Sequence, residues 1–203
     1  MRLLPLLFPQ YTWHKNHKDK VVYLTFDDGP IPEVTAWVLH LLQQQQIKAT
    51  FFCIGDNIRK HPQLFQRILA EQHQIGNHTY NHLNGWKSTL EEYVLNVDLC
   101  QQEVLKHTKQ PTLLFRPPYG KIKKQQGDYL VKEGFEIIMW SIITKDYEAT
   151  LSPQNCLKRT IKQIKPGSIL VFHDSVKAEK NLKYTLPLLI EYLKKEGYTF
   201  SVL

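Results

Sequence analysis

The feature that most limits how this chain can fold is an alternation. Short runs of β-branched, aromatic and other apolar residues are each followed by a stretch with helical periodicity, and no two-residue Asn-Gly or Asp-Gly hairpin joins consecutive runs. Strands that are not joined by tight turns need long crossovers, so this pattern predicts a parallel sheet with helical connections. Seven strand-like runs can be read: VVYLTF from Val21, ATFFCIG, a short one from Gln74 to Thr79, TLLFR, FEIIMWSI, SILVFH and YTFSVL. Between them, Pro32 and Glu33 open a helix carrying Val34, Trp37, Val38, Leu41 and Leu42, and Pro62 opens another with Leu64, Phe65, Ile68 and Leu69. A long helix is predicted from Thr89 to Lys106, with Leu90, Tyr93, Val94, Val97 and Leu105 on its apolar face. Further helices are predicted over about 124–133, from Pro153 to Pro166-Gly167, and from about Leu182 to Lys195.

Several strand-like runs end in residues that can do chemistry. VVYLTFDDGP runs straight into Asp27 and Asp28 before Gly-Pro stops it, and His78, His82, Arg116, Asp146 and His173 follow other runs in the same way. Loops at the C-terminal ends of parallel strands build the site in both doubly wound sheets and barrels. Residues from at least four strands must converge here, and a closed ring brings their ends together, so the expected fold is an α/β seven-stranded (β/α) barrel. A chain of 203 residues suits one domain over 1–203, with 1–20 as a lead segment lacking periodicity.

Composition narrows the function classes. The net charge of +7 is spread along the whole sequence and reads as a solvated exterior, with no basic cluster or stacking motif for nucleic acid. Cys53, Cys100 and Cys156 are odd in number and widely spaced, which predicts buried free thiols. No run is long enough for a transmembrane helix. Pro5 interrupts the short apolar start and no small-residue cleavage site follows, so no signal peptide is expected and the cytoplasm is the default compartment. His14 and His17 are three apart, with nothing nearby to complete a metal site.

The pair His78-Thr-Tyr-Asn-His82 has metal-ligand spacing, because residues four apart share one face of a helical turn. Asp28 would complete an Asp-His-His set with open positions for water and substrate, as in a catalytic zinc-type site. The Glu of HExxH is absent, so a general base must come from elsewhere, and Asp27 is adjacent to the metal ligand.

TFDDGP at 25–30, HTYNH at 78–82, RPPYG at 116–120 and LVFHD at 170–174 occur in the order of the motifs of the polysaccharide deacetylases, the fourth carbohydrate esterase family, which the chain resembles over about residues 20–203. The resemblance implies a deformed seven-stranded (β/α) barrel that hydrolyses acetyl groups, most often N-acetyl groups on amino sugars, with one divalent metal. It implies Asp27 as general base, Asp28, His78 and His82 as metal ligands, and His173 as general acid. Arg116 resembles the arginine that holds the catalytic Asp, and the backbone N–H of Tyr119, aimed by Pro117 and Pro118, the donor to the oxyanion. Trp140, Tyr119 and Leu170 resemble the apolar groove around the sugar and acetyl methyl.

The fourth motif departs from the family pattern. WSIITKDY has Asp146 before Tyr147 and no earlier aspartate, and Asp146 is expected to pair with Arg116. The implied substrate is an N-acetylated oligosaccharide or glycoconjugate; a lipid-linked amino-sugar deformylase, an O-acetyl xylan esterase and a silent sugar-binding protein are the alternatives. Zinc is the expected ion, and cobalt, manganese or nickel fit the same donors.

Overall fold

A computed structural model describes residues 4–15 and 18–203, so His17 lies outside the described residues. The strands are β1 (Val21–Asp27), β2 (Thr50–Cys53), β3 (Gln74–Asn77), β4 (Leu114–Phe115), β5 (Glu136–Ile137), β6 (Ile142–Ile143), β7 (Ile169–His173) and β8 (Thr199–Phe200). All the pairings between them are parallel, in the order β5-β4-β3-β2-β1-β7-β6, with β8 on the N-terminal end of β1. The sequence predicts FEIIMWSI as one strand, but the chain splits it into β5 and β6, at opposite edges of the sheet. From Ile137 to Ile142 is five residue steps, a reach of at most about 18 Å. The sheet must therefore curl until its edges meet across a seam, which gives the deformed barrel.

Side-chain alternation assigns each strand residue to one layer. On β1, Val22, Leu24 and Phe26 face outward into the main core, while Tyr23, Thr25 and Asp27 face inward. The partners follow suit: Phe26 stacks on Phe51 of β2 at 5.0 Å and on Phe172 of β7 at 6.0 Å. Inside the ring, Tyr23, Phe52, Leu114, Ile138 and Ile169 pack together. The register places Asp27 beside Phe52 on one side and His173 on the other, so the carboxylate and the imidazole reach the same end of the barrel.

The outer layer contains α1 (Leu4–Leu7), α2 (Pro32–Gln45), α3 (Gly55–Lys60), α4 (Pro62–Ala70), α5 (Leu90–Leu105), α6 (Lys124–Lys132), α7 (Pro153–Ile161) and α8 (Glu179–Lys195). Proline begins α2, α4 and α7, where its missing N–H costs nothing, and a Thr89–Glu92 capping box begins α5. The α5 stripe runs through Tyr93, Val97, Cys100 and Val104 rather than to Leu105, which is exposed. Helix α3 has no strong periodic signal in six residues, and residues 8–15 make more contacts with the barrel than their sequence suggests. Tyr11 and Trp13 are buried, and Thr12 bridges Ile138, its N–H donating to Ile137 O at 2.9 Å and its carbonyl accepting from Met139 N–H at 2.8 Å, beside the seam. All three cysteines are buried and free. Among the described residues no helix is long and apolar enough to cross a membrane.

Candidate active site

At the C-terminal end of the barrel a cavity of about 540 Å³ opens, within the range of small-ligand sites. Asp27, Asp28, His78, His82, Pro117, Tyr119, Trp140 and His173 line it. Sequence spacing treats the two histidines as neighbours on a helical turn. Instead β3 ends at Asn77 and the histidines sit on an irregular loop with φ of 63° at Thr79 and 59° at His82. Polar side chains build that loop: Asn77 Oδ1 accepts from Thr79 N–H at 2.8 Å, and Thr79 Oγ1 from Leu83 N–H at 2.9 Å. Asn96 Oδ1 accepts from the N–H groups of Tyr80 and Asn81.

Asp28 has φ of 87°, a left-handed conformation unusual for a non-glycine residue, which turns its carboxylate away from the line of β1. The turn is anchored by Asn57, which donates to Asp28 O at 2.7 Å, and by the buried Asp174, whose carboxylate accepts from Gly29 N–H at 3.0 Å and from Thr35 Oγ1 at 2.5 Å. Gly29 is required by this packing, since a Cβ there would lie 2.0 Å from Asp174 Oδ2. Asp174 lies within a recognisable motif, but its role as an anchor depends on contacts the sequence does not display.

Asp28 Oδ1 lies 3.4 Å from His82 Nε2 and 3.8 Å from His78 Nε2, and the three ligand atoms fall within 4.8 Å of one another. Among the described residues this is the one cluster of that kind. Asp28 Oδ1 is buried with no hydrogen-bond partner, a cost that a cation would relieve. His78 Nδ1–H donates to Arg116 O at 2.7 Å, which leaves the Nε2 lone pair facing the cluster. Burial keeps both imidazoles neutral; that of His82, pushed down further by the neighbouring His78, falls to about 4. Two imidazole nitrogens and one carboxylate oxygen are a donor set that suits a divalent transition metal.

Arg116 is fully buried and does two things. Its Nη1 donates to Asp27 Oδ1 at 2.7 Å and to Thr25 Oγ1 at 2.6 Å, while Nε and Nη2 donate to the carbonyls of Ile138 and Met139 at 3.2 and 3.0 Å. The guanidinium thus fills the seam of the barrel and fixes the carboxylate, with Phe52 4.1 Å beneath it. Burial raises the Asp27 pKa, but Arg116, by its charge and its hydrogen bond, together with the charge of His173 outweighs it and holds the group below its ordinary range.

Asp146 does not pair with Arg116. It accepts from His173 instead, Oδ1 from the ring Nδ1–H at 2.7 Å and Oδ2 from the backbone N–H at 2.8 Å. The physical reason is register: β6 lies beside β7, so the loop after β6 ends next to His173, whereas Arg116 points across the barrel to β1. Burial alone would lower the His173 pKa, but the Asp146 carboxylate overrides it and raises it to about 9. Leu170 is also misplaced by the sequence reading. It alternates outward into the main core, and its neighbour Val171 lines the cavity together with Ile143 and Tyr147. Trp140, Tyr119 and Pro117 do line the cavity. Tyr147 lies edge-on to His173 at 4.9 Å, a placement hinted at only by its position directly after Asp146.

A family model described as "Polysaccharide deacetylase" matches residues 14–138, which include Asp27, Asp28, both histidines and Arg116 but stop short of Asp146 and His173. Longer matches cover that remainder. The chain is 34 % identical over 190 residues to a peptidoglycan-N-acetylglucosamine deacetylase of Bacillus cereus, covering 93 % of this chain and 89 % of the relative. It is 33 % identical to the peptidoglycan-N-acetylmuramic acid deacetylase PdaA of Bacillus subtilis, covering 92 % of this chain and 71 % of that one. A crystal structure of a peptidoglycan N-acetylglucosamine deacetylase in complex with 4-naphthalen-1-yl-N-oxidanyl-benzamide superposes with a TM-score of 0.93 at 31 % identity, covering 98 % of this chain and 94 % of that one. With the family model matching more than half of its length and its fold shared end to end, this chain belongs to the polysaccharide deacetylase family.

Proposed function

We propose that the chain is a metal-dependent hydrolase that removes N-acetyl groups from amino sugars of a glycan or glycoconjugate. One observation carries this reading: three metal-type donor atoms, one of them an orphaned carboxylate oxygen, share a cavity with a buried carboxylate held ionised and an imidazole held protonated. Asp28, His78 and His82 would hold the ion, with zinc the expected one. When bound, it supplies Lewis acidity toward a water and the substrate carbonyl. Asp27, kept ionised by Arg116, accepts a proton from the attacking water. As the C–N bond breaks, the departing amine takes a proton from the free ring nitrogen of His173, whose Nδ1 is committed to Asp146. Val171, Ile143, Trp140 and Tyr147 supply an apolar wall for the acetyl methyl and exclude water. The names of the relatives, which are deacetylases of N-acetylglucosamine and N-acetylmuramic acid in peptidoglycan, support an N-acetylated sugar as substrate.

The test is acetate release from short N-acetylglucosamine oligomers and from peptidoglycan glycan strands, comparing chelated protein with protein given one equivalent of zinc. Zinc-dependent release is the expected result. Tight zinc binding without acetate from either substrate would overturn the N-deacetylase assignment and direct attention to formyl or O-acetyl substrates.

A further inference from the structure

One charged side chain that lines the catalytic cavity has no part in the chemistry above: Lys177, on the loop between β7 and α8. That loop is fixed at both ends. Asp174 N–H donates to Asp27 O at 3.0 Å, which ties its start to the end of β1, and two consecutive turns follow, Ala178 N–H donating to Ser175 O at 3.0 Å and Glu179 N–H to Val176 O at 3.3 Å. Ala178 is fully buried directly after the lysine. The ammonium is thus held at the mouth by its backbone rather than by a counter-ion.

The acids on this side of the barrel are already paired. Between Ile143 and Ile190 the chain has four, Asp146, Glu148, Asp174 and Glu179. Asp146 holds His173, Glu148 takes Lys145 Nζ at 3.1 Å, Asp174 takes Gly29 N–H and Thr35 Oγ1, and Glu179 takes Lys183 Nζ at 2.5 Å. Across the cavity Asp27 is committed to Arg116. Among the described residues Lys177 forms no ion pair, and its contact is with the Tyr147 ring, 5.5 Å from Nζ, which in turn lies edge-on to His173 at 4.9 Å. The free cation therefore stands on the wall where the amine leaves. An acetamido sugar is neutral and offers this ammonium no opposite charge, whereas a carboxylate on the ring carbon next to the amine reaches the same wall. We propose that Lys177 is a specificity-determining residue that selects an acetamido sugar whose reacting ring itself bears a carboxylate. This rests on the glycan reading above. A single ammonium matches the single charge of a carboxylate, and in a cavity partly closed to water the charge-assisted hydrogen bond is stronger than on an open surface.

The experiment is calorimetric titration of the zinc-loaded Asp27→Asn protein, which leaves the ligand intact, with peptide-free strands of alternating N-acetylglucosamine and N-acetylmuramic acid. The same strands with their carboxyl groups converted to methylamides form the second arm, equal in length and shape but uncharged. The carboxylate strands should bind about tenfold more tightly than the amide strands. Adding Lys177→Met should bring the two affinities within about threefold of each other, whereas Lys177→Arg, which keeps the charge, should preserve most of the difference. Equal affinities without the lysine substitution overturn the proposal, and so does a ratio that Lys177→Met leaves unchanged or an absence of binding to both strands. Acetate release by the unmutated zinc-loaded protein, measured in parallel, reports separately on the proposed function: release accompanied by equal affinities removes only the assignment of Lys177.

Discussion

Replacing Asp146 by Asn removes one negative charge while keeping the size and an acceptor oxygen. Asp146 is 1 % exposed, and the His173 side chain it holds is only 14 % exposed, so solvent screens the pair weakly. The His173 imidazole titrates at about 9 instead of 6.5 because the carboxylate overrides the effect of burial. That difference of about 2.5 pH units corresponds to about 3 kcal/mol favouring the charged form in the folded protein. The folded-state pKa is raised, so this stabilisation is complete below pH 6.5 and is lost as pH rises through about 9. In Asp146→Asn the imidazole should titrate at or below about 7, since burial then meets only the more distant carboxylates. Two measurements check this on metal-free protein: NMR titration of the His173 ring, and urea unfolding at pH 6 and pH 10. The variant should be less stable than the parent by about 3 kcal/mol at the lower pH, with the gap narrowing at the higher one. An imidazole that still titrates near 9, or a stability gap that does not change with pH, would refute the ion-pair argument.

The other predictions use the same site. Asp27→Asn should retain zinc in calorimetry yet lose roughly 10²–10⁴-fold in acetate release, whereas His78→Ala should lose the metal as well; full turnover by Asp27→Asn would remove the base assignment. Arg116→Met should destabilise the fold by about 3–5 kcal/mol in urea, because it strands a buried Asp27 and empties the seam between Ile138 and Met139. A loss within 1 kcal/mol, on the order of a surface change, would show that the seam closes without it. Gly29→Ala should cost about 1–3 kcal/mol through its clash with Asp174, and should weaken zinc binding by moving Asp28; unaltered thermal unfolding would contradict that packing.

Much of this molecule is legible along the chain. The parallel α/β arrangement follows from strand runs without tight hairpins, and the clustering of Asp27, Asp28, His78, His82 and His173 follows from their positions after strand-like runs. These are local signals, since alternation and element order need only neighbouring residues to be compared. Other features depend on residues far apart in sequence. Asp146 sits beside His173 because β6 and β7 pair in register, and Leu170 faces the core while Val171 faces the cavity because of the phase of β7 alternation. The split of FEIIMWSI into β5 and β6 comes from closure of the ring, with Arg116 hydrogen-bonding the carbonyls that span the seam. The HTYNH spacing marks the two histidines, but their convergence comes from positive φ angles at Thr79 and His82, and that loop is held by Asn96, on a helix that starts eight residues after His82. One-dimensional pattern carries periodicity and order, whereas the phase of a strand, the partner of a buried charge and the place where a sheet closes depend on which distant atoms become neighbours, and folding alone brings them together.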